Sequence, residues 1–212
     1  MLKGLWKNTE RFTTNSHMKR EDGVKTFHAV DRAAWRDWLE ENHQKEKGLW
    51  LIIYKKKSQV PSVFYDEAVD EALCFGWIDS KPNKRDAESY FQYFSQRSPK
   101  SNWSKVNKDK IARLETEGKI HTSGYEMIRI AKEDGTWDAL NDVENLIIPP
   151  DLATELQKYE HAKSNFENFP RSVKRGILEW IFNAKRPATR EKRILETAAL
   201  AEQNIRANQY NK

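Results

Sequence analysis

In GWIDS, residues 76–80, an aspartate and a serine follow a tryptophan just after a helix-like run, and further along RSPKSNWS offers Arg97, Lys100, Ser101, Trp103 and Ser104. If the chain folds back between the two stretches, their polar groups meet at one end of a sheet. A helix start with unsatisfied N–H groups, beside Arg97 and Lys100, is an anion site, and Trp77 and Trp103 can wall an apolar ligand body. The candidate ligand residues are therefore Trp77, Asp79, Arg97, Lys100, Ser101 and Trp103. The structural alternative is that Asp79 pairs with Arg97 or Lys100 and Ser101 caps the following helix.

Catalysis has less to work with. An aspartate becomes a general base only when burial or a like charge raises its pKa, and Asp79 has no second carboxylate or histidine at an adjacent motif position. Ser80 and Ser101 lie in no nucleophile elbow, and His17, His28, His43, His121 and His161 are scattered singly. No catalytic residue is singled out, and an enzyme with an acid/base site around Asp79 stands as the rival reading. The histidine spacing predicts no metal, and no cofactor is expected. Cys74, the single cysteine, lies between Leu73 and Phe75 on an apolar helix and reads as packing.

A second cluster is basic. Between residues 170 and 193, Arg171, Lys174, Arg175, Lys185, Arg186, Arg190, Lys192 and Arg193 face only Glu179 and Glu191, an excess larger than the net +5 of the whole chain. Arg186, Arg190 and Arg193 step by four and three, which aligns them on one face of a helix starting near Pro187. Such a row can grip phosphate or carboxylate bidentately, for a small anionic ligand or an acidic protein partner. It can equally be a solvated face bridged to Glu191 and Glu196. A nucleic-acid-binding role needs a wider basic footprint and exposed stacking aromatics; most aromatics here fall at core spacing, which disfavours nucleic acid.

The elements that must position these residues follow from periodicity. DRAAWRDWLEENH reads as a helix capped by Asp31, with Ala34, Trp35, Trp38 and Leu39 on its apolar side. LWLIIYKKK lacks the alternation of a half-exposed strand and is too short for an isolated helix, so it predicts a central strand covered on both faces. In YDEAVDEALCFG the apolar face is Tyr65, Ala68, Val69, Ala72 and Leu73, with Asp66, Glu67, Asp70 and Glu71 opposite and Gly76 as the stop. WIDSK and YFQYFSQ predict two strands around the turn PNKRDAE. Next comes a helix with Ser101 and Asn102 as cap candidates and Trp103, Val106, Ile111 and Leu114 on one side, then another with Tyr125, Ile128 and Ala131. After Pro149 and Pro150 the chain reads as short helices and one longer one, whose stripe is Ile194, Ala198, Ala201 and Ile205.

The expected fold class is α+β: a small, mainly antiparallel sheet packed by helices, with a helical C-terminal part. The expected organisation is a poorly ordered extension over 1–25, with Met18 a possible start, an α+β domain over 26–145 and a helical subdomain over 146–212. With 212 residues, 38% of them hydrophobic, the chain can bury a real core, and 33% charged residues make a wet surface. GLWLIIY, the longest apolar run, is far short of the roughly 20 residues a spanning helix needs, so no membrane insertion is expected. One cysteine and no secretory leader point to the cytoplasm.

The blocks FHAVDRAAWRDWLEENH, KGLWLIIYKKK, YDEAVDEALCFGWIDS, YFQYFSQRSPKSNWSKVNKDKIARLETEGK and WIFNAKRPATREKRILETAA resemble, from about residue 26 to 205, the YdeI/OmpD-associated or bacteriocin-protection proteins. The resemblance implies a cytoplasmic bacterial protein of stress resistance, tied to protection against bacteriocins or antimicrobial peptides, with no established reaction. AKRPATREKRILET also resembles the ending of another small family of uncharacterised α+β proteins, which by itself supplies no function. The leading expectation is non-catalytic binding of a small anionic ligand or a protein partner, with the oligomeric state open.

Overall fold

The computed structural model describes residues 23–208; most of the N-terminal extension, with His17 and Met18, lies outside the described residues. The chain is α+β. Its described residues group into two compact units, one made of residues up to Ser98 with Lys110–Met127, the other of Pro99–Asp109 with the chain from Ile128 onward.

In the first unit, strands β1 (Thr26–His28), β2 (Gly48–Tyr54), β3 (Trp77–Lys84) and β4 (Ser89–Gln96) form one sheet in the order β1-β2-β4-β3. The central pair is antiparallel, Gly48 opposite Ser95 through Tyr54 opposite Ser89. β3 is antiparallel to β4, with a register shift between Asp79 and Pro82. β2 is buried from Leu49 to Ile53, which is why its sequence does not alternate. β1, not anticipated, runs parallel to β2 with Thr26 opposite Trp50. Three residues carry too little pattern to be read locally.

Helix α1 (Arg32–Asn42) starts where the Asp31 carboxylate accepts the Ala34 N–H at 2.8 Å, and it buries Trp35, Trp38 and Leu39. Trp35 packs on Phe94 of β4 and Trp38 meets Trp77 edge-on at 5.7 Å. Helix α2 (Tyr65–Cys74) differs from its sequence reading. Asp70 and Glu71, expected on the exposed side, are 5% and 2% exposed, whereas Tyr65 is exposed. Arg32 and Arg36 of α1 grip Glu71 at 2.5 and 2.7 Å. Lys110 and Arg113 grip Asp70 at 2.8 and 2.7 Å. Four cations answer two carboxylates, which offsets the several kcal/mol that burying each ion costs.

Lys110 and Arg113 belong to helix α3 (Lys105–Thr116), whose first turn counts with the second unit; helix α4 (Thr122–Asp134) passes into that unit after Met127. Ser104, not Ser101 or Asn102, serves the start of α3, its Oγ accepting the Asn107 N–H at 3.3 Å. Val106 and Tyr125, expected in the core, are exposed.

The second unit is helical: α5 (Asn141–Glu144), α6 (Pro150–Leu156), α7 (Ala162–Asn168), α8 (Arg171–Phe182) and α9 (Pro187–Glu202). Its core is built from Leu152, Leu156, Phe166, Ile177, Ile181 and the α9 stripe Ile194, Ala198 and Ala201. Ile205 falls beyond the helix end and is exposed. Among the described residues no helix is long and apolar enough to cross a membrane.

Candidate functional site

Within the first unit, the end of α1, the α2–β3 corner, the end of β4 and the start of α4 surround a cleft of about 560 Å³. His43, Phe75, Arg97, His121, Ser123 and Met127 are among its lining residues. The corner is set by Gly76, whose φ of +74° follows α2 and lets the chain turn into β3. Gly76 also accepts the backbone N–H of Arg97 at 2.9 Å, fixing the end of β4 to that corner. The first turn of α4 reaches the end of α2 because Gly124 has no side chain. A Cβ there would lie 2.2 Å from the Cys74 carbonyl oxygen, the same carbonyl that accepts the His121 N–H at 2.9 Å.

His43 is held from several sides. Its Nδ1 lies 2.8 Å from Leu39 O, an acceptor, so Nδ1 carries the proton of that bond. Its own carbonyl accepts Trp77 Nε1–H at 3.0 Å and the Gln96 side-chain N–H at 2.9 Å. Its ring packs against Phe75 at 5.2 Å and edge-on to His121 at 4.9 Å. The remaining ring nitrogen, Nε2, is buried and has no hydrogen-bond partner among the described residues.

His121 and Ser123 pair through their side chains at the start of α4, with His121 Nδ1 2.9 Å from Ser123 Oγ. His121 Nδ1 also accepts the Ser123 backbone N–H at 3.2 Å, and the Ser123 hydroxyl lies within donating distance of Phe75 O at 3.1 Å. The ring stacks on Phe75 at 4.9 Å, and Nε2 lies 3.7 Å from the exposed Glu40 carboxylate.

Arg97 brings a guanidinium into the same cleft while only 5% exposed. Burial pushes its pKa down to about 10, with the Asp79 carboxylate acting the other way. Asp79, half-buried, accepts the Tyr65 hydroxyl at 2.6 Å. Burial first, and that bond second, push the Tyr65 pKa upward.

Of the residues singled out from sequence, the structure therefore brings Trp77 and Arg97 to one cleft, with Asp79 acting on Arg97 through charge. Trp77 is 1% exposed and backs the cleft as a packed donor to His43. Lys100, Ser101 and Trp103 belong to the second unit, and none lines the cleft. Lys100 is exposed, Ser101 half-buried, and Trp103 buried against Trp137 at 4.9 Å.

The arginine row is largely committed inside its own unit. Arg190 forks onto Asp151 at 2.7 and 3.0 Å and holds that carboxyl below its usual range. Arg193 donates to Trp180 O and lies 4.9 Å over the Trp180 ring. Arg175 binds Glu144 and Glu179, both at 2.8 Å. Arg186 is exposed at the N-cap position of α9. Among the described residues no group of three His, Cys, Asp or Glu is placed to hold a metal ion.

His43, His121 and Phe75 were missed by sequence reasoning. Nothing in their spacing links them; only the contact of α4 with the end of α2 does.

The architecture defines an α+β protein in which a sheet unit carries a cleft and a separate unit is wholly helical. Residues 145–204, the stretch of α6 to α9, match the model of the family described as bacteriocin-protection, YdeI or OmpD-associated. Residues 27–127, where the resemblance to the same family was also read, match instead a domain of unknown function (DUF8412), and the cleft lies wholly within that stretch. No curated protein and no solved structure matches the chain.

Proposed function

We propose that this is a cytoplasmic, non-catalytic binding protein of the bacteriocin-protection type, whose first unit takes a small anionic ligand in the cleft between α1, the α2–β3 corner and α4. The observation that carries the reading is Arg97. A guanidinium is rarely so buried, and this one lines the cleft, with burial acting on its pKa more strongly than the Asp79 charge. The N-terminal turn of α4 opens on the same cleft and adds the positive end of a helix dipole. Phe75 and Met127 supply apolar lining. In the second unit, Arg190 is forked onto Asp151 and Arg193 lies over Trp180, and neither lines this cleft.

The test is a thermal-shift screen of the full chain and Arg97→Met against small carboxylates, inorganic phosphate and organic phosphates. An anion present at 100 times its Kd stabilises the wild type by about 2.7 kcal/mol. The same anion leaves Arg97→Met unmoved. Equal shifts in both proteins, or no shift with any anion at millimolar concentration, would overturn the reading.

A further inference from the structure

Buried polar atoms in folded proteins nearly always find a hydrogen-bond partner, so an exception at a cleft is informative. His43 is such an exception: 8% exposed, lining the cleft, its ring fixed through Nδ1 to Leu39 O, and its Nε2 unmatched among the described residues. Trp38 Nε1 is likewise unmatched, but Trp38 does not line this cleft. Because Nδ1–H is committed to a carbonyl, the neutral ring can use Nε2 only as an acceptor. Gln96, the chain neighbour of Arg97, donates to the His43 carbonyl, which ties the acceptor and the cation to one wall.

Resting on the reading of this cleft as an anion site, we infer that its ligand is a small carboxylate or phosphate that also bears a hydrogen-bond donor, a hydroxyl or N–H. The anionic end faces Arg97 and the start of α4, the donor is accepted by His43 Nε2, and the ligand body lies against Phe75. Hydroxy acids, amino acids and hydroxyl- or amino-substituted aromatic acids have this chemistry; plain aliphatic or aromatic acids lack half of it. Filling the cleft with an acid lacking the donor leaves a buried acceptor sealed from water, and sites built around such a group discriminate strongly.

The experiment uses matched pairs on the full chain, by calorimetry or thermal shift: lactate against propionate, 3-hydroxybenzoate and 3-aminobenzoate against benzoate, hydroxymethylphosphonate against methylphosphonate. In the wild type the donor-bearing member of at least one pair binds about 10- to 100-fold more tightly. In His43→Phe, which keeps a ring against Phe75, that advantage collapses while the plain acid binds as before. In His43→Gln, whose amide oxygen can accept, part of it returns. Arg97→Met loses both members of each pair.

Equal binding of both members in the wild type, or a donor advantage that survives His43→Phe, overturns the inference while leaving the anion site standing. Loss of both members in His43→Phe, in a protein whose near-ultraviolet dichroism is unchanged, overturns it too, since the anion itself would then sit on His43. If His43→Phe does not fold, the wild-type pairs and His43→Gln decide. Absence of binding by every anion fails the underlying reading and the inference together. The carboxylate and phosphonate pairs separate the two kinds of anionic end.

Discussion

Arg97 and Arg190 meet the same expectation, a guanidinium for an anion, in opposite ways. Arg190 lies at the surface of the helical unit with both edges of its fork on Asp151, and the pair depresses the carboxyl's pKa. Arg97 is buried at the end of β4, lines a cleft, and has its own pKa depressed to about 10. The first arginine is spent on a surface carboxylate. The second is kept out of water where it lines a cleft. A basic cluster in a sequence is thus weaker evidence for a ligand than a single arginine at the end of a strand, because surface guanidinia find carboxylates easily and buried ones are placed.

The largest effect comes from making a buried charge unanswered on purpose. Glu71→Ala leaves Arg32 and Arg36 facing a gap on α1, and removing one partner of a buried ion pair costs about 3 kcal/mol, read as a fall in the urea midpoint. Arg97→Met should change stability by no more than about 1 kcal/mol, since the methionine suits the apolar surroundings that penalise the cation. If Arg97→Met destabilises as much as Glu71→Ala, Arg97 is a structural cation and the contrast with Arg190 collapses.

The reciprocal exchange is smaller. Arg190→Met removes the fork on Asp151, whose side chain is 46% exposed, so solvent screening holds the loss to about 0.5–1 kcal/mol. Its response to anions in thermal shift should match the wild type, while Arg97→Met shows the reverse pattern. An anion response lost in Arg190→Met would move the site to the helical unit.

How much of this was legible in the sequence depends on how local the cause is. The helices were readable because their apolar residues recur at helical spacing and Asp31 and Gly76 mark a start and a stop, the glycine at positive φ. β2 was readable as a doubly covered strand. Asp70 and Glu71 were misassigned because local pattern sees four acids on one helix and cannot see Arg32, Arg36, Lys110 and Arg113 brought from α1 and α3. The site shows the same division. Trp77 and Arg97 could be placed together from sequence because each flanks an element boundary with a conspicuous side chain. His43 and His121 were not, because their ring contact is created by the closure of α4 on the Cys74 carbonyl, which no spacing rule encodes.

Titration separates the two arginines by the sign of their pH dependence. Asp151 and Glu144 are held low, each first by a hydrogen bond from an arginine, Arg190 and Arg175. Groups of this kind contribute stability that is present above the unfolded carboxylate pKa of about 4 and is lost as pH falls through their lower folded values. Arg97 has the opposite sign. Its folded pKa, near 10, lies below the ordinary 12.5, so between those values the unfolded chain holds a proton that the folded chain has released, and stability rises with pH. The stability difference between Arg97→Met and wild type should therefore shift in favour of the wild type from pH 9 to pH 11, whereas that between Arg190→Met and wild type should stay flat there. A flat curve for Arg97→Met would mean that the folded chain keeps the guanidinium protonated, held by opposite charge rather than opposed by burial.

The smallest effect is a thiol that does not react. Burial pushes the Cys74 pKa up to about 11, with the nearby Glu71 charge adding to it and Arg36 opposing. Its neighbour Phe75 lines the cleft, whereas the Cys74 side chain is wholly buried. A disulfide reagent at pH 8 should leave the native thiol untouched over the time in which it consumes the denatured one, and a bound anion should not change that. Rapid labelling in the folded protein would show that α2 and α4 separate readily at the Cys74–His121 contact. The cleft would then open and close with that motion, and the rigid acceptor and cation from which ligand chemistry was inferred would lose their common wall.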